Sequence, residues 1–316
     1  MGTDYQNTFL ESVNDRYQLH KDFAIKQITN KISPHIPTHS DTNTSILYHY
    51  TTLEGFKNII EKGTLWGTNF AYLNDSTELN YGLSIFRKII DEREYFTSGA
   101  HSAEIKSIIE EFQKIWICAR YHAYGACFSS LDDSLSQWRG YGQGVAIGFT
   151  RQALSNQLFL NTRLEKVVYS NELARYIIES LVDSFVYAIK NYMDDQDYLN
   201  IKQILCASFR DWLEGTIPML KDPAFSDEKE WRIIHFREIM NAPEQYPKVE
   251  FRVKNDMLIP YVELRPIFNG KLHIAEIRIG PLDRMQPHLL NSITTFLWKY
   301  GYGAVPVKLS DVPFRS

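Results

Sequence analysis

Four short polar and aromatic clusters carry the side chains of this chain best suited to chemistry. They are Tyr48-His49-Tyr50-Thr51, Leu73-Asn74-Asp75-Ser76-Thr77-Glu78, Ser129-Ser130 with Ser136-Gln137-Trp138-Arg139-Gly140-Tyr141, and Glu228-Lys229-Glu230-Trp231-Arg232. Between them they offer an imidazole, carboxylates, hydroxyls and guanidiniums, and each lies at the edge of an expected element, where a loop can aim a group that the scaffold holds. Every cluster also has a plain structural reading. Taken singly, His49 reads first as a hydrogen-bonded structural histidine, Trp138 and Tyr141 as core or lid packing, and Asp75 as a helix cap. Glu228, Glu230 and Arg232, alternating with Lys229 and Trp231, read as a solvated charged strand edge.

The elements that must position these groups follow from hydrophobic periodicity. Ile46–Thr51 is β-branched and aromatic and predicts a strand. A helix follows it, capped by Thr52, with Leu53, Phe56, Ile59 and Ile60 on one face and Gly63 as its stop. Leu65–Thr68 predicts a short strand, and helical spacing recurs over Leu79–Ile90 and Ile105–Trp116. Gly125–Ser129, Gly144–Phe149 and Lys166–Tyr169 predict strands, followed by long helical patterns at Leu173–Ile189 and Ile201–Leu213. The last third returns to strands at Glu230–Phe236, Val249–Val253, Leu258–Leu264, Leu272–Ile279 and Ala304–Leu309, with a helix near Gln286–Tyr300. Strands with segregated helices imply α+β and not a doubly wound sheet. Residues 1–45 predict a helical extension and a Pro-containing linker, and 46–316 a single domain with a helical insertion at about 172–220.

Several chemistries lose their usual support. Gly140-Tyr141-Gly142-Gln143-Gly144 leads into a strand, whereas a dinucleotide fingerprint follows one and opens a helix, so these glycines read as a turn. No phosphate-loop, zincin or nucleophile-elbow pattern occurs. Three cysteines without a C-x-x-C pair predict neither a disulfide framework nor a zinc site, and no metal is expected. Cys127, beside Phe128, is expected to be an inert core thiol. A formal charge of -4 lacks the basic excess of a protein that grips nucleic acid mainly by its phosphates. No apolar run approaches the ~18 residues of a membrane span, so a cytoplasmic protein with no membrane contact is expected; the oligomeric state is left open.

The ordered series L-Y-H-Y-T, G-x-L-W, L-N-D-x2-E, C-F-S-S-x-D-D-x-L-S-Q-W-R-x-Y, G-V-A-I-G-F, F-x2-E-K-E-W-R-I, I-x-I-G-P and V-P-F-R, from about Leu47 to Arg315, resembles the bacterial domain-of-unknown-function 2971 family. The opening Leu47–Thr51, with the helix ending at Gly63, is also similar to the first motif of the ADP-ribosyltransferase superfamily. That second resemblance implies a mixed or split β-sheet core flanked by helices. It further implies NAD as co-substrate, with His49 on the ribose, a central aromatic on nicotinamide (Tyr141, Trp138 or Tyr124), and Glu230 or Glu228 as the carboxylate.

Cleaving the bond between nicotinamide and ribose develops oxocarbenium character, which a carboxylate stabilises. Under the resemblance, Tyr50, Thr51, Ser129, Gln137, Trp138, Arg139 and Arg232 bind the dinucleotide. Asn74, Asp75, Glu78 and Glu228 brace these groups or face an acceptor, which is a nucleic acid or a protein. The expectation is ADP-ribose transfer to a macromolecule, in a toxin or phage-defence setting. The alternative is a non-catalytic domain sensing a nucleotide or a nucleic-acid end.

Overall fold

The computed structural model describes residues 46–73, 77–93, 102–119, 123–141, 144–156, 162–196, 198–236, 248–254, 256–268, 271–281 and 286–313. In chain order these form β1 (Ile46–Thr51), α1 (Leu53–Lys62), β2 (Leu65–Asn69), α2 (Thr77–Glu92), α3 (Ser102–Ala119), β3 (Ala123–Ser129), α4 (Leu135–Tyr141) and β4 (Val145–Thr150). There follow α5 (Arg151–Asn156), β5 (Thr162–Lys166), α6 (Asn171–Tyr192), α7 (Tyr198–Thr216), β6 (Glu230–Phe236), β7 (Val249–Lys254) and β8 (Met257–Leu264). The last are β9 (Ile267–Phe268), β10 (Lys271–Leu272), β11 (Ile274–Ile279), α8 (Gln286–Lys299) and β12 (Val307–Leu309). The chain is an α+β protein, as its segregated strands and helices require. The expected helices of residues 1–32 and the linker after them lie outside the described residues.

The described residues fall into two compact units. One is helical and is built from α2, α3, α6 and α7, so residues 172–220 share a unit with 77–119, a grouping that sequence patterning had not suggested. Its core includes Phe86, Phe185 and Phe209, with Phe185 stacked on Phe209 at 4.4 Å between ring centroids. Arg175 ties α6 to α2 through Glu92 at 2.7 Å and pairs with Glu179 one turn on, also at 2.7 Å.

The other unit contains all twelve strands found among the described residues. Ten join one sheet, in which the order β12-β11-β4-β1-β3-β2-β8-β7 is a path and β6 and β5 branch from β3. β6 covers one edge of β3 along its whole length, from Ala123 opposite Phe236 to Ser129 opposite Glu230. The other edge is shared by β1, at Ser129, and β2, at Tyr124 and Gly125, so the sheet forks there. Pairing is antiparallel except between β11 and β12, which makes the sheet mixed.

Alternation divides the sheet into two faces. Leu47, Ala126, Phe128, Ile147, Phe149, Ile233, Ile277 and Ile279 point to one, where α1 and α8 cover them with Phe56, Ile60, Ile293 and Leu297. The opposite face carries Tyr48, Tyr50, Trp138 and Ala146 and a set of charged groups.

α1 forms as its sequence dictates. The Thr52 hydroxyl accepts from the Gly55 amide at 3.1 Å, and Gly63 closes the helix at φ 64, a conformation that favours glycine. A side chain at Gly144 would collide with the Thr51 carbonyl, so β4 can approach the end of β1 only with glycine at that position.

Three expected strands are shifted. Residues 162–166, not 166–169, pair with β6, because that ladder runs only from Thr162 opposite His235 to Lys166 opposite Trp231, one residue short of where β6 begins. Leu272–Ile279 is broken at His273, since β10 pairs with β9 while β11 turns to β4. The last strand is limited to Val307–Leu309, the stretch that β11 can reach.

Candidate functional site

Cross-strand register decides which candidate residues can meet. Tyr48 lies opposite Ser129, and Ser129 lies opposite Glu230. Directly opposed residues share a face, so Tyr48, Ser129 and Glu230 project together, joined by Tyr50, Cys127 and Arg232 at alternate positions. His49 falls between Tyr48 and Tyr50 and therefore projects to the other face. Its ring lies 5.6 Å from that of Phe128, a member of the apolar core. The expected pairing of His49 with Glu230 across one hollow is corrected: the sheet itself stands between the two side chains.

His49 has a structural partner. Its Nδ1–H donates to the Cys127 carbonyl at 2.8 Å, and burial pushes its pKa below the ordinary 6.5, offset in part by that hydrogen bond. The imidazole is therefore neutral in the folded chain at pH 7, while in the unfolded chain it takes up a proton as pH falls through 6.5. Stability held at pH 7 is lost as pH drops below 6.5. His49→Gln is expected to flatten the fall in thermal midpoint between pH 7 and pH 5.5, and an unchanged slope would show that His49 contributes nothing to it.

Glu230 and Arg232, expected on a solvated edge, are instead 3% and 1% exposed. The Arg232 Nε–H donates to Glu230 Oε1 at 2.7 Å and Nη2 to Oε2 at 2.9 Å, a two-point pairing of alternate residues on one strand. The guanidinium lies 5.7 Å from the Phe70 ring centroid. Gly125 leaves room for this arrangement, since any Cβ there would meet the Phe70 ring and come within 2.7 Å of the Ile233 carbonyl.

The loop after β3 and the helix α4 are bound to the same face. The Ser129 hydroxyl donates to the Glu228 carbonyl at 2.7 Å and accepts from the Leu131 amide at 3.1 Å, and the Gln137 amide reaches the same carbonyl at 3.5 Å. The Tyr50 hydroxyl donates to the Leu131 carbonyl and accepts from the Ser134 amide, at 2.8 and 3.2 Å. Trp138 is 1% exposed, meets Tyr50 edge-on at 4.6 Å and donates Nε1–H to Asp133 at 2.7 Å. Asp133 also accepts from the Ser310 hydroxyl at 2.6 Å and the Asp311 amide at 2.7 Å. Arg278 is within reach of it at 3.8 Å and pairs with Asp132. Further along the face, Glu276 accepts from the Tyr48 hydroxyl at 3.0 Å and from Lys308 at 2.5 Å. Burial, and then that carboxylate, raise the Tyr48 pKa, keeping its hydroxyl a donor.

The structure thus brings Tyr50, Ser129, Gln137, Trp138, Glu230 and Arg232 to one face, with the Glu228 backbone among them. Thr51 is half-buried at the end of β1, and Arg139 is exposed on α4. Tyr124 lies in the apolar core. Cys127 is half-buried, not the core thiol expected from its neighbour Phe128. Asn74 and Asp75 lie outside the described residues, as do the side chains of Glu78 and Tyr141.

Sequence reasoning missed Asp132, Asp133, Glu276, Arg278 and Lys308 as working members of this face. The signal was present for two of them, because Glu276 and Arg278 alternate with Ile277 and Ile279 along one strand. Among the described residues no group of three His, Cys, Asp or Glu is placed to hold a metal. Nor is any helix there long and apolar enough to cross a membrane.

Fold and face together define an α+β protein with a forked mixed sheet, one side apolar and the other a hydrogen-bonded polar network. Residues 137–233, which run from within α4 through β4, α5, β5, α6 and α7 into the start of β6, match the model of a family described as a protein of unknown function, DUF2971. No curated protein and no solved structure matches the chain.

Proposed function

We propose that this chain is a non-catalytic binding domain that senses a nucleotide or a nucleic-acid end. The observation that carries this reading is the separation of His49 from Glu230 by the sheet, with both already engaged by internal partners. A transfer reaction needs its carboxylate at the reacting carbon, and a side chain 3% exposed and doubly bonded to arginine is poorly suited to reach it. The groups a ligand can reach are the exposed ones of the loop after β3, of α4 and of the turn before β6. Arg139 on α4 and Lys229, in the left-handed turn at φ 47 that enters β6, are both exposed, as are Ser130 and Ser136. The two cations can pair with phosphate oxygens and the hydroxyls can donate to them.

ADP-ribosyltransferase activity on a macromolecule, with NAD as co-substrate, is the second reading. It is favoured by the gathering of Ser129, Gln137, Trp138, Glu230 and Arg232 on one face. Both readings are tested on purified full-length chain. Thermal midpoints are measured with ATP, ADP-ribose, NAD and a short oligonucleotide, and free nicotinamide is measured after incubation with NAD.

The expected result is a midpoint raised by at least one nucleotide, lost in Arg139→Ala/Lys229→Ala, with nicotinamide at the level of a blank; ligand at about 100 times its Kd should stabilise by about 2.7 kcal/mol. Nicotinamide release abolished by Glu230→Gln would overturn the binding reading in favour of the transferase.

A further inference from the structure

β7 ends the sheet path, and among the described residues no strand pairs with its outer side. An open edge presents a row of backbone donors and acceptors, which natural sheets cover or blunt. Here the edge is apolar at alternate positions. Val249, Phe251 and Val253 share one face of β7, opposite Val262, Pro260 and Leu258 of β8. Val249 packs against the main core, but Phe251, Val253 and Leu258 are 61%, 73% and 64% exposed, so the core's apolar stripe runs on past the last strand into solvent.

The charges of β7 specify what fits beside it. Glu250 and Arg252 occupy the other face, one residue to either side of Phe251. Arg252 donates Nη2–H to the Thr68 hydroxyl at 2.8 Å and lies 5.1 Å from the Trp66 ring centroid. An antiparallel copy of the same strand, related by a two-fold axis through Phe251, places Phe251 opposite its equivalent, Val249 opposite Val253 and Glu250 opposite Arg252. Each of the last two pairings occurs twice. Moving the axis to Glu250 or Arg252 sets identical charges against each other, which is unfavourable for directly opposed residues. Lys248 and Lys254 come opposite one another only at the exposed ends, where screening makes their repulsion small.

We propose that β7 is a self-association edge, pairing antiparallel with β7 of a second copy about a two-fold axis at Phe251 to make an isologous dimer with a continuous sheet. The apolar stripe then runs across the axis through Val249, Phe251 and Val253, and Glu250 of each copy stands opposite Arg252 of the other.

The test is the molar mass of the full chain by sedimentation, across a dilution series from roughly 1 mM to 1 µM. Wild type should pass from two chains to one on dilution. Glu250→Arg, at an exposed position, sets Arg against Arg twice and should raise the dissociation constant at least about tenfold with an unchanged circular dichroism spectrum. Phe251→Glu should do the same, and Glu250→Arg/Arg252→Glu should restore the dimer by exchanging the charges. A single-chain mass at every concentration, or a dimer indifferent to Glu250→Arg and Phe251→Glu, would overturn the proposal.

Discussion

Glu230→Ala is expected to lower folding stability by about 3–5 kcal/mol, because it takes from a buried guanidinium the carboxylate that holds it at two points. Arg232 is 1% exposed and its Nε and Nη2 both face Glu230, so water cannot readily replace the lost oxygens. Arg232→Met should cost a similar amount by leaving the carboxylate without its guanidinium. Glu230→Ala combined with Arg232→Met should cost less than the two single changes added together, since the double change buries no charge. Urea unfolding of the four proteins gives the coupling directly. A loss below about 1 kcal/mol in Glu230→Ala would mean that the pair behaves as an exposed one does, and would contradict its burial. The measurement also bears on function, since a carboxylate whose removal unfolds the chain is recruited for structure first.

Trp138→Ala is expected to be about as damaging, at about 3–5 kcal/mol, the usual cost of truncating a large buried aromatic. The indole fills the space against Tyr50, and its N–H is one of three hydrogen bonds that converge on Asp133. Trp138→Phe separates the two contributions. It keeps an aromatic ring and removes the donor, and should cost about 1–3 kcal/mol. Asp133→Ala should remove the anchor shared by α4 and the segment after β12, so its effect and that of Trp138→Phe should be strongly non-additive. Simple additivity in denaturant titrations would show that indole and carboxylate do not act as a unit. A wild-type-like Trp138→Ala would show that the α4 side chain is not part of the packed face.

Local elements were legible because their signals are local. Thr52 and Gly63 bound α1 by capping chemistry that needs no distant partner, and the β-branched and aromatic residues of Ile46–Thr51 and Glu230–Phe236 mark strands whatever lies beside them. The strands that were misplaced are those whose limits depend on a neighbour. β5 stops one residue short of where β6 begins, and β11 starts where β10 leaves for β9. For the candidate site the limit was the same. Tyr48, His49, Ser129, Gln137, Trp138, Glu230 and Arg232 could all be singled out by type, but adjacency along the chain does not say which face a residue takes.

The sequence by itself determined the α+β class, the positions of most strands and helices, and the motif segments that now form one polar face. Only the tertiary structure decided that His49 belongs to the apolar side, that Glu230 and Arg232 are consumed by each other, and that Asp133, from a loop, gathers Trp138 and Ser310. The physical reason is the period of two in a strand. A shift of one residue in the pairing of β1 with β3 reverses every side chain, and that register is set by partners more than 70 residues away, as the 78-residue separation of His49 from Cys127 illustrates.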